Sequence, residues 1–221
     1  GKMKTEQSVT SSISLPVLYS SLSGKKERLA VEAAWHDYDE LIYFQEGEFQ
    51  LYLNLKEKLI KEECLYFIPR GCFHRIYATS DKAVQHSLCF CLEDFSFSKG
   101  DFLEQEFFGP LRKGFRFFPE EISLNDMGFI EAVQSFSRMV QYFHKHGTND
   151  KSIESSKKYS LRGLAQHMYI RAEILHLFAT MESMGLIRDK SPLEEERKTE
   201  LLKNCILFME EHYRERLYIH D

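Results

Sequence analysis

The chain has 221 residues, with 29 Lys and Arg against 34 Asp and Glu, a formal net charge of -5. A stand-alone nucleic-acid binder carries a basic surplus, because phosphate contacts supply most of its affinity, so this balance argues against that class for the segment itself. Hydrophobic residues make up 43% and charged residues 29%, which suits a packed globular core and excludes long disorder.

The first ten residues are polar and hold no apolar run of the signal-peptide kind. The most apolar helical run, Ile174 to Met181, is short and broken by His176, so no membrane span is expected. Arg28 to Trp35, Glu40 to Gln45, Glu48 to Leu55, Cys64 to Ile68, His74 to Ala78 and Val84 to Leu92 read as short strands. Glu46-Gly47 and Pro69-Arg70-Gly71 supply turns between them. Strands at this spacing predict a sandwich or barrel. Five cysteines, at 64, 72, 89, 91 and 205, lack CxxC pairing, so a reduced, cytoplasmic setting is expected rather than a zinc knuckle or disulfide framework.

The pattern changes near residue 125. Phe129, Val133, Phe136, Val140 and Phe143 fall on one helix face, and Gly147 is placed to end that helix in a left-handed cap. Thr148 to Ser160 is polar and reads as a loop, and Lys151, Lys157, Lys158 and Arg162 read as a solvated charge run over that loop and the following helix start. The next helix, Ser160 to Met184, carries two apolar stripes and ends at Gly185. Leu161, Leu164, Met168, Ala172, Leu175 and Ala179 form one stripe. Ile170, Ile174, Leu177, Met181 and Met184 form the other, about 240° around the helix. One stripe is expected to pack on the β-rich part. The other, through Ile170, Ile174, Leu177 and Met181, is expected to meet a second copy. Ser191-Pro192-Leu193-Glu194 is a capping box that opens a final helix with Leu202, Cys205, Ile206, Met209 and Tyr213 on its apolar face. Leu217-Tyr218-Ile219 opens a new apolar element, which predicts that the native sequence continues past Asp221.

One constellation points to chemistry. His36 and Glu40 lie four apart in an extended run and share a strand face with Tyr38, Ile42 and Phe44. Gly47 follows, then Pro69, Gly71 and His74. These offsets resemble the two motifs of the cupin family. Ala34 stands where the first motif's leading His would be, Glu63 where the second motif's Gly would be, and Ala78 at its Asn. The resemblance implies a double-stranded β-helix, or jelly-roll, barrel with His36, Glu40 and His74 facing its interior. Two His and one carboxylate can hold a divalent ion with open positions. The same groups can instead line an organic-ligand pocket, or pair with each other inside a core. Tyr38 is a further pocket candidate. Cys89 and Cys91 read as packing residues. No nucleophile elbow, P-loop or dinucleotide fingerprint is present.

A cupin-like barrel followed by helices resembles the AraC/XylS-type transcription regulators. His36 through Gly47 looks like the first barrel hairpin of those sensors, and Leu65-Tyr66-Phe67-Ile68-Pro69 with His74 like their second motif. Ile206 through Leu217 looks like the opening helix of their DNA-binding domain. The expectation is an α+β chain in three parts: a cupin-like effector-binding barrel over 1–125, a helical dimerisation region over 126–190, and over 191–221 a linker with the first helix of a DNA-binding domain. By resemblance the N-terminal arm, to about Ser23, closes over the barrel mouth. His36, Tyr38, Glu40 and His74 bind a small-molecule effector, a sugar being one candidate. The chain forms a homodimer, uses no cofactor and no catalysis of its own, and reaches DNA only through the segment beyond Asp221. The alternative is a metal-dependent cupin isomerase or dioxygenase using His36, Glu40 and His74.

Overall fold

The computed structural model describes residues 17–24, 30–34, 38–153, 156–189, 200–209 and 212. Its organising strand is Asp39–Glu46, whose residues are buried on both faces as far as Phe44. A strand loses its inside–outside alternation when a layer covers each side. Here a second sheet covers one side and helices the other.

In chain order the strands are β1 (Val17–Gly24), β2 (Ala30–Ala34), β3 (Asp39–Glu46), β4 (Phe49–Leu53), β5 (Lys56–Ile60), β6 (Cys64–Ile68), β7 (His74–Ala78) and β8 (Ala83–Phe90). A short helix α1 (Gly109–Lys113), β9 (Arg116–Phe117) and β10 (Glu121–Ser123) follow. Then come α2 (Phe129–His146), β11 (Thr148–Ile153), β12 (Ser156–Ser160), α3 (Leu164–Ser183) and β13 (Arg188–Asp189). One antiparallel sheet runs β10-β6-β3-β8-β1-β12-β11 and a second runs β2-β7-β4-β5, while β13 pairs β9. Among the described residues the two large sheets share no strand pairing, so the barrel is not closed. No helix among them is long and apolar enough to cross a membrane.

Even-numbered residues of β3 and β6 face the smaller sheet. Ile42, Phe44, Tyr66 and Ile68 pack there with Phe49, Leu51, Ile60 and Ile76. Odd-numbered residues face the helices, where Leu41, Tyr43 and Phe67 join Leu88, Phe90, Phe136, Phe143 and Phe178. Burying a side chain of this size contributes about 1.5–3 kcal/mol, so the two layers dominate stability. Gly47 makes the β3–β4 turn at φ +85, and a Cβ there would sit 2.6 Å from the Ala83 Cα.

Four expectations are corrected. Thr148 to Ser160 is not a loop: β11 and β12 form a hairpin, and β12 pairs with β1. Strand pairing joins backbone N–H and C=O groups whatever side chains the residues carry, so composition alone misread it. The described part of the N-terminal arm, β1, lies in register between β8 and β12 as a strand of the large sheet. Gly147 has an extended backbone rather than a left-handed one. Its requirement for glycine is close approach, since a Cβ would lie 2.5 Å from the Phe143 carbonyl oxygen.

The fourth concerns α3. Ile170, Ile174, Leu177 and Met181 do not face outward for a second copy; they are buried in the chain's own core. Leu164 and Met168, from the other stripe, are 80% and 70% exposed. Polar clamps choose the orientation. Glu173, flanking the inward stripe, accepts hydrogen bonds from Ser135 and Arg138 on α2, and Tyr142 stacks on Tyr169 at 4.2 Å. At the helix end Arg116 donates to Glu182 at 2.8 Å. Residues 200–209 are helical, with Leu202, Ile206 and Met209 exposed. The capping box at 191–194 and Tyr213 lie outside the described residues.

Candidate functional site

The site is built where the two large sheets face each other. Glu40 is on β3 of the larger sheet and His74 on β7 of the smaller. Both are buried, and His74 Nε2 lies 3.0 Å from Glu40 Oε2. The other carboxylate oxygen accepts a hydrogen bond from Ser87 on β8. His74 Nδ1 is 3.2 Å from the Cys72 carbonyl oxygen. A carbonyl only accepts, so Nδ1 carries hydrogen, and Nε2 and Oε2 share one further proton. The pair is therefore neutral overall, as a charge held in a dry interior requires. Asp39 accepts from the Arg70 backbone N–H at 3.3 Å, anchoring the Pro69–Gly71 turn that delivers His74.

Tyr38 and Cys89 extend the cluster. The Tyr38 hydroxyl bonds the Cys89 thiol, and Ser87 Oγ lies 3.8 Å from the same sulfur. Burial, then the Cys89 thiol and Glu40, push the Tyr38 hydroxyl up to about 12. Burial and then Glu40 push the Cys89 thiol up as well. Both groups stay protonated at neutral pH, as donors rather than nucleophiles.

Of the four site residues expected from sequence, Glu40, His74 and Tyr38 gather at one end of the interior. His36 lies outside the described residues. Ala34 is the direct β2 partner of His74, so the departure from the cupin motif falls beside the histidine that is kept. Among the described residues no group of three or more His, Cys, Asp or Glu is placed to hold a metal ion. The two described donors, Glu40 and His74, bond each other and do not fit a metal centre by themselves.

Sequence reasoning missed Ser87 and Gln85. On β8 the odd residues face the interior, because Ser87 pairs with Ile42 and Gln85 with Phe44. Alternation within the predicted strand could have placed them on one face; only register places that face against Glu40.

On the helix side of the same strand, His86 joins the layers. Tyr19 donates to His86 Nδ1 at 2.6 Å, and His86 Nε2 lies 2.6 Å from Gln45 Oε1. Its ring stacks between Tyr19 and Tyr43 and meets Phe136 of α2 edge-on. Burial, then the neighbouring His144, lower His86 to about 4. It is a neutral, fully bonded imidazole.

Residues 25–90 match the family model of the cupin domain, and the chain carries a cupin domain over that span. The solved structures similar to it include a RmlC-like cupin from Shewanella frigidimarina, 17% identical with a TM-score of 0.31, covering 37% of this chain and 72% of that one. KdgF from a Halomonas species is 15% identical with a TM-score of 0.30, over 37% of this chain and 76% of its own. An oxalate decarboxylase variant from Bacillus subtilis is 18% identical with a TM-score of 0.32, over 36% of this chain and 22% of that one. No curated protein matches the chain.

Proposed function

We propose that this chain is the effector-sensing and dimerisation part of an AraC/XylS-type transcription regulator, cytoplasmic and without catalysis of its own. One observation carries the reading. Strand β8 presents Gln85, Ser87 and Cys89 to the interior, and His86, Leu88 and Phe90 to the helical layer. A ligand contact on one face is thus a single residue from a helix contact on the other. Effector binding at Glu40, His74, Tyr38 and His36 would bias how α2 and α3 pack, and so how a DNA-binding segment beyond Asp221 is held. The exposed stripe of α3, Leu164 and Met168 foremost, is the dimer face that suits this arrangement in place of the buried stripe.

The test is thermal unfolding against a panel of small metabolites. A ligand at a hundredfold its Kd adds about 2.7 kcal/mol of stability. A saturable rise in Tm supports sensing, and its absence throughout the panel counts against it.

The second reading is a cupin enzyme. The neutral Glu40–His74 pair, sharing one proton across 3.0 Å, is an acid–base couple by construction. Turnover that appears on loading iron, manganese or zinc, and is lost in Glu40→Gln, would favour it over sensing.

A further inference from the structure

The inward face of β8 holds a group that the pairing of Glu40 and His74 does not use. Gln85 is 4% exposed, and its Oε1 is buried without a hydrogen-bond partner. An unpartnered buried amide oxygen costs about 1–3 kcal/mol, which a purely structural position would shed by carrying an apolar residue. It lies two residues along the strand from Ser87, whose hydroxyl is already given to Glu40. Around it are Phe44, its direct partner on β3, and Ala83, both buried in the inter-sheet layer.

Glu40 and His74 neutralise each other, and no Lys or Arg among the described residues is buried at this end of the interior. Lys158 on β12 acts on the Cys89 thiol but is exposed, so water and salt screen it. A charged ligand group of either sign would enter a dry site with no free counter-charge, at a desolvation cost of several kcal/mol. Hydroxyl donors of a neutral ligand meet free acceptor capacity on Gln85 and Ser87.

We infer that Gln85 is a ligand-binding residue, and that with Ser87 it selects a small uncharged ligand rich in hydrogen-bond donors. This rests on the sensing reading and names the class of ligand that the same interior accepts.

The experiment is thermal unfolding of the chain with a matched set: an aldose, its uronic acid, its 2-amino sugar, and inorganic phosphate alone. The neutral sugar raises Tm. The uronic acid, the amino sugar and phosphate do not. Ser87→Ala and Gln85→Leu weaken that binding at least tenfold. Gln85→Leu by itself melts at the same or a higher temperature, because it removes a stranded amide; a residue that merely held the fold would melt lower. An acid, an amino sugar or phosphate that stabilises the chain overturns the inference while leaving sensing intact. So does binding that survives Gln85→Leu unchanged, or a Tm several degrees lower in that variant. No shift from any member of the panel overturns the sensing reading, and the inference falls with it.

Discussion

Glu40 and His74 are 34 positions apart and come from different sheets, yet their bond ties the two sheets together. Removing one partner leaves the other polar group buried alone. His74→Ala should therefore cost about 3–5 kcal/mol in urea unfolding. Replacing both by Leu should cost far less, because no stranded charge remains. His86 sets an acid limit on stability. Its ordinary value is near 6.5 and the fold lowers it to about 4. Between those values the unfolded chain binds more protons, so the contribution of His86 is complete above pH 6.5 and is lost as pH falls from 6.5 toward 4. Unfolding at pH 7 and pH 5 should show that loss, and His86→Phe should flatten it.

Helix α3 is where the expected element was right and its orientation was not. Its two stripes are both apolar, and periodicity cannot rank them. Packing can: Ile174→Ala should cost about 2–5 kcal/mol, whereas Met168→Glu should leave Tm within a degree or two. If the exposed stripe mediates self-association, sedimentation of Leu164→Glu and Met168→Glu will show monomers where the parent shows dimers. Persistent dimers in both variants would remove that face from consideration. At the β3–β4 turn, Gly47→Ala should destabilise by more than the ordinary cost of a left-handed alanine of about 1–2 kcal/mol, since the added carbon also meets Ala83.

At the scale of the molecule, sheet and helices share one core. Leu41, Phe90, Phe136, Ile174 and Phe178 belong to the same buried cluster, and β12, from the second half of the sequence, is a strand of the large sheet. A fragment ending at residue 125 would lose β11, β12 and the cover over Tyr43, Phe67 and Phe90. It should bind a hydrophobic dye and lack a cooperative transition, while the whole chain unfolds in one step. Independent, cooperative folding of that fragment would show the barrel to be self-sufficient.

The sequence by itself determined what depends on neighbours within a few residues. The strand runs of β3, β6, β7 and β8, the turns at Gly47 and Pro69–Gly71, the face of α2, and the shared orientation of Tyr38 and Glu40 all follow from local periodicity and φ/ψ preference. The tertiary structure decided what depends on register. Ser87 meets Glu40, and Gln85 shares its face opposite Phe44, only because β8 pairs with β3 at one offset; a slip of one residue would send His86 inward instead. The hairpin of β11 and β12 exists because β1 offers an edge to pair with. The inward stripe of α3 was chosen by Ser135 and Arg138 clamping Glu173 across to α2. Such contacts join residues tens of positions apart, and their energy resides in the pairing rather than in either segment.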